Sequence, residues 1–224
     1  MLLNLFSFNC FAGRILFIGD SHSTAPFAPF GSKMNTLLRT LPKAEVSFHS
    51  RCGSIVNWWY SGINDRCGFF DQEAEEGPLS GKNKPTPLIA SMMDQLNPQL
   101  IIIELGANYM YGNDWAANAK TDVQKLVEDL RKRSIPCLWV GQPDYRLPGD
   151  PVEAEISLNR RNALIQAIRE TVEPICTYVD STTMTRYPVT GGDGHHYSMK
   201  EGLEIGFAWA DTVFQEFVIP LYRE

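Results

Sequence analysis

Two uninterrupted apolar runs, Ile15-Leu16-Phe17-Ile18 and Ile101-Ile102-Ile103, constrain the fold of this chain more than any other feature. Neither alternates with polar residues, so each reads as a strand buried on both faces, the pattern of a parallel sheet covered by helices on either side. The remainder of the chain supplies those helices. Apolar runs and amphipathic stretches alternate, which predicts strands over 14–19, 44–49, 99–105, 136–141 and 175–180. The same alternation predicts helices over 30–41, 87–96, 115–134, 153–172 and 198–218. Residues 50–85 carry several glycines and an acidic cluster at 73–76, and read as one long irregular segment.

The expectation is a three-layer α/β/α domain over 13–224 with a five-stranded parallel, flavodoxin-like sheet, in which ligands gather beyond the carboxyl ends of the strands. A net charge of -6 argues against a nucleic-acid partner. The densest basic cluster, Arg131-Lys132-Arg133, closes a predicted helix and complements its dipole. No apolar run approaches the roughly 18 residues of a membrane span.

Residues 1–12 are rich in Leu and Phe, lack acidic residues and end Cys10-Phe11-Ala12. They read either as an export signal without the usual basic start or as an apolar extension packed on the fold. Cysteine usage leans toward export, to the periplasm or outside the cell, with a cytoplasmic location left open. Cys52 and Cys67 flank a loop that a disulfide would stabilise by about 3 kcal/mol. Cys137 and Cys176 open two neighbouring predicted strands, where they either pair or sit as buried thiols.

Residues with chemistry fall just past the strand ends. Gly19-Asp20-Ser21-His22-Ser23 follows the first strand, and Asp193-Gly194-His195-His196 follows the last. A serine, an imidazole and a carboxylate are the parts of nucleophilic acyl transfer. Gly53 in Arg51-Cys52-Gly53-Ser54 follows the second strand, and Gly106-Ala107-Asn108 follows the third. With Gly-Asp-Ser first and Asp-x-x-His last, these four blocks in order resemble the SGNH (GDSL-like) hydrolase superfamily across residues 15–202.

That resemblance implies a serine esterase that needs no cofactor; Asp193 with the two histidines has no fourth ligand of suitable spacing nearby, so no metal is expected. It implies Ser21 as nucleophile, His196 as general base and Asp193 as the group that orients the imidazole. It also implies an oxyanion hole from the backbone N–H groups of Ser21 and Gly53 and the amide of Asn108. Ser23 lies off the block position, Ser54 reads as a loop hydroxyl, and His195 loses to His196 on Asp-x-x-His spacing. His22 reads as a lip residue, His49 as a strand-end residue, and Asp20 as a turn anchor. The chain departs from the family where Tyr109 follows Asn108 in place of an aspartate; the literal Asn113-Asp114 lacks the preceding glycine.

Trp58, Trp59, Tyr109 and His195 are the candidate walls of a substrate pocket, with Tyr60, Tyr111 and Trp115 as further rings. Aromatic faces stack on sugar rings, so an O-acetyl ester of a cell-wall or extracellular polysaccharide is the leading substrate. A short-chain lipid or thioester hydrolase and a non-catalytic binding module are the alternatives.

Overall fold

The computed structural model describes residues 13–25, 28–111, 115–198 and 200–223. The N-terminal stretch 1–12, with Cys10, and the Asn113-Asp114 pair lie outside the described residues. The chain alternates β1 (Arg14–Gly19), α1 (Pro29–Leu38), β2 (Glu45–Arg51), α2 (Trp58–Ser61), β3 (Phe69–Gln72), β4 (Leu79–Gly81) and α3 (Ile89–Leu96). It continues with β5 (Leu100–Glu104), α4 (Trp115–Arg133), β6 (Cys137–Val140), α5 (Pro151–Val172) and β7 (Thr177–Val179). It closes with α6 (Lys200–Val213), a π-helical turn at Phe214–Val218 and α7 (Ile219–Arg223).

The strand order is β4-β3-β2-β1-β5-β6-β7. Strands β2-β1-β5-β6-β7 run parallel, as the two apolar runs require. The sheet nonetheless has seven strands, not the expected five. Part of the segment read as irregular forms β3 and β4, which add antiparallel to the β2 edge. These strands are short, and an ion-pair cluster secures them: Arg51, fully buried, donates to both carboxylate oxygens of Asp71 at 2.7 and 3.1 Å. Lys84 donates to the same carboxylate at 2.7 Å, and His49 Nδ1 lies 2.9 Å from it. His49 is therefore a buried member of this cluster.

Period-two alternation splits each central strand between two cores. Leu16, Ile18, Ile101 and Ile103 face one side, against Val123, Leu126 and Val127 of α4 and Leu164 and Ile168 of α5. Ile15, Phe17, Leu100 and Ile102 face the other, against Met34 and Leu38 of α1 and Trp209 and Val213 of α6. The central strands are thus clamped from both sides. Their carboxyl ends, and the loops that leave them, are held in fixed relative positions. Disulfides join Cys52 to Cys67 and Cys137 to Cys176, with Cα atoms 5.3 and 4.8 Å apart. The second resolves the alternative left open by the sequence: β6 and β7 are adjacent in register, Leu138 opposite Thr177, which brings the two thiols together. No helix among the described residues is long and apolar enough to cross a membrane.

Candidate active site

Ser21 opens a single 3-10 turn, Ser21–Ser23, immediately beyond β1. Asp20 caps that turn, its side chain accepting the His22 N–H at 2.9 Å. The loop between β7 and α6 brings Asp193 and His196 over the turn. His196 Nε2 lies 2.9 Å from Ser21 Oγ, and His196 Nδ1 lies 2.6 Å from Asp193 Oδ2. The other Asp193 oxygen accepts the backbone N–H groups of His195 and His196, both at 2.8 Å. Three-residue spacing makes this geometry possible, because one carboxylate caps the turn and grips the ring it carries. Partial burial would raise the Asp193 carboxyl, but the His196 ring and the two N–H groups more than offset it, holding the acid well below the usual range.

Gly53 follows Cys52 at the end of β2 with φ of 87°, in the left-handed region that glycine enters without strain. Its loop is pinned from two directions. Cys52 is tied by its disulfide, and Arg66 N–H donates to Cys52 O at 3.1 Å. Asn108, in the 3-10 turn Ala107–Tyr111 after β5, lines the same cavity as Ser21 and Gly53. Its amide donates to Asp20 Oδ2 at 3.1 Å and to the Ser54 carbonyl at 3.0 Å.

Two cavities meet at Ser21 and His196. The larger, about 410 Å³, is lined by Gly53, Asn108, Tyr111, Gln142, Tyr145 and Arg160 among others. His195 belongs to it, stacked on Tyr145 at 5.5 Å and edge-on to Tyr111 at 5.9 Å. The smaller, about 200 Å³, is lined by Thr24, Pro29, Phe30, Tyr197 and Trp209. The Cys52 and Cys67 side borders both.

The remaining pocket candidates are placed elsewhere. Trp59 is fully buried in the core beneath the sheet, and Tyr109 is buried with its hydroxyl donating to Asp122 at 2.8 Å. Trp58 is also buried, with the Arg66 guanidinium over its ring at 5.1 Å; with Tyr109 and Trp115 it lines a neighbouring cleft that shares Gly53, Asn108 and Tyr111 with the larger cavity. The helical turn α2 rotates Trp58 and Trp59 inward, so sequence proximity to Gly53 does not by itself bring them to the larger cavity. The rings that do reach the larger cavity are Tyr111 and Tyr145. Tyr145 was missed; Gln142-Pro143-Asp144-Tyr145 leaves the end of β6, and its place past a strand end was the available signal.

His22 borders both cavities with most of its ring packed inside the protein. It is buried, with Nδ1 3.1 Å from Asp20 Oδ1 and Nε2 3.2 Å from the His195 carbonyl oxygen. Below it, Glu104 at the end of β5 accepts from the Ser23 hydroxyl at 2.8 Å through Oε2, while its Oε1 has no hydrogen-bond partner. Ser23 is therefore a support for the turn. Burial, followed by the charge of Asp20, pushes the Glu104 carboxyl well above its ordinary range. Asp20, His22 and Glu104 bring donor atoms within 4.8 Å of one another. Both His22 nitrogens face oxygens, however, and a ring protonated at both would offer a cation no lone pair.

No family model and no curated protein matches this chain. Solved structures do. An acetylxylan esterase from Geobacillus stearothermophilus superposes with a TM-score of 0.55 at 14% identity, covering 91% of this chain and 93% of that one. A catalytic mutant of that esterase, with a serine replaced by alanine, superposes with a TM-score of 0.56 at 13% identity, covering 91% and 93%. A GDSL-like lipase from Bacteroides thetaiotaomicron gives 0.51 at 13% identity, covering 92% of this chain and 89% of its own. These likenesses span nearly the whole chain, and together with the topology they show that it has the SGNH (GDSL-like) hydrolase fold.

Proposed function

We propose that this protein is a serine esterase that removes short acyl groups, foremost O-acetyl, from a carbohydrate. The observation that carries the reading is the relay from Ser21 Oγ to His196 Nε2 at 2.9 Å and from His196 Nδ1 to Asp193 at 2.6 Å. A serine hydroxyl is a weak nucleophile until a base takes its proton, and neutral His196 is placed to do so. Asp193, held ionised, fixes the tautomer with Nδ1–H toward itself and steadies the imidazolium that forms. Ser21 Oγ attacks the ester carbonyl, and the tetrahedral oxyanion is received by the N–H groups of Ser21 and Gly53. Asn108 contributes by sharing one of its amide hydrogens, now given to Asp20 and Ser54, with that oxygen. His196 then protonates the departing alcohol, and water, activated by the same ring, hydrolyses the acyl-enzyme.

The smaller cavity, floored by Phe30 stacked on Trp209, suits a short acyl group. The larger one, with exposed Tyr111 and the polar groups of Gln142, Glu153 and Arg160, suits a sugar leaving group. The two disulfides support an exported protein.

The test compares wild type with Ser21→Ala on p-nitrophenyl acetate and longer acyl esters, with acetate release from xylan and peptidoglycan in parallel. Turnover should fall with acyl length and vanish in the variant. Wild-type turnover in Ser21→Ala refutes the nucleophile; equal turnover of long chains favours a lipid or thioester hydrolase.

A further inference from the structure

We propose that His22 is a positioning residue whose doubly protonated ring straps the nucleophile turn to the loop that carries the base, and that losing one ring proton sets the alkaline limit of activity. The proposal rests on the reading of Ser21 and His196 given above. Its geometry is independent of that reading.

Both nitrogens of His22 face atoms that can only accept. Nδ1 lies 3.1 Å from a carboxylate oxygen of Asp20, and Nε2 lies 3.2 Å from the backbone carbonyl of His195. A neutral imidazole has a single N–H, so one of these contacts would set a lone pair against an oxygen. The ring is 8% exposed, its edge bordering both cavities, so most of it is packed against protein. The imidazolium satisfies both. One ring thereby links residues 173 apart in the chain, at the two points where placement matters most. Ser21 is the residue before it, and His195 sits between Asp193 and His196. Any drift of that carbonyl moves His196 Nε2 relative to Ser21 Oγ.

The charged and titratable neighbours agree. On its own turn stands Asp20. From the end of β5, Glu104 Oε1 lies 4.0 Å from Nδ1, and burial, with the charge of Asp20, pushes its carboxyl well above the ordinary range. From the loop before α6 come Asp193, His195 and His196, the His196 ring centroid 5.4 Å away. Burial lowers the His195 ring below the usual histidine value, so it does not compete as a cation. α6 presents only the uncharged edge of Trp209, at 6.3 Å. Burial would lower His22 too, but the hydrogen bond and charge of Asp20 outweigh it, and the ring is raised. A raised histidine is charged below its ordinary value and loses its charge only as pH climbs through the higher one. The strap therefore fails on the alkaline side.

The experiment uses protein labelled with 15N-histidine, with ring N–H signals and kcat for p-nitrophenyl acetate followed from about pH 5 to about pH 10, Ser21→Ala serving as the blank. At neutral pH His22 should show two ring N–H protons, and kcat should fall in step with the loss of one of them. His22→Gln should lower kcat about tenfold with KM little changed, and should remove the alkaline fall. A single N–H at neutral pH, or wild-type kcat with an unaltered alkaline fall in His22→Gln, overturns the proposal. If His22→Gln does not fold, the wild-type protein decides: coincident loss of proton and kcat supports the strap, and separate losses refute it. If wild type hydrolyses no ester, the esterase reading fails while the ring spectrum alone still decides the strap, two N–H protons supporting it and one refuting it.

Discussion

Asp20 and Asp193 are built alike and live differently. Each is followed at close spacing by histidine, each accepts backbone N–H from the turn it caps, one at Asp20 and two at Asp193, and each grips an imidazole Nδ1. Asp20 is fully buried, whereas the Asp193 side chain is 53% exposed. The first pair sits under the nucleophile, hemmed in by Glu104, Ser23 and Asn108. The second stands at the rim, its ring 2.9 Å from Ser21 Oγ. One construction thus serves two settings. Buried, it fixes a turn; exposed, on the esterase reading, it activates a hydroxyl. Substitutions at the two aspartates should therefore fail in different ways.

The largest effect is expected for Asp193→Asn, which removes the ion that orients His196. Turnover should drop on the order of 10⁴-fold while the melting temperature stays near wild type. A large loss of stability there would erase the distinction. Asp20→Asn should instead show mainly in stability, costing about 3–5 kcal/mol in denaturant unfolding because a buried charge partner of His22 is lost, with a fall in kcat far smaller than that of Asp193→Asn. Asn108→Ala, which touches both the Asp20 cluster and the cavity, should lower kcat by about 10²-fold or more with a smaller change in stability. Replacing Cys52 and Cys67 together by serine should cost about 3 kcal/mol and raise the mobility of Gly53, read by hydrogen exchange. The smallest effect concerns acid. Asp193 is held below the usual carboxylate range, so its contribution persists as pH falls past about 4 and is lost only below that. Its carboxyl 13C shift should stay flat over the window in which activity declines.

The parallel sheet was legible because strands such as β1 and β5 are apolar throughout, and nothing but burial on both faces explains Ile101-Ile102-Ile103. The blocks at 19–21, 106–108 and 193–196 were legible because strand ends in such sheets converge. β3 and β4 were not, since Phe69–Gln72 and Leu79–Gly81 are too short to show a period and depend on Arg51 meeting Asp71 across the sheet. Trp59 was misread because its direction is set by a single helical turn. His22 could be seen but not placed: its burial depends on His195, far downstream. Glu104, a lone carboxylate ending an apolar strand, was the unused clue that something polar lies beneath the nucleophile.

The Cys52 and Cys67 pair forms a partition between the two chambers that meet at the serine. On the esterase reading, smaller residues at both positions would widen the passage between the chambers and let bulkier groups lie on either side of Ser21.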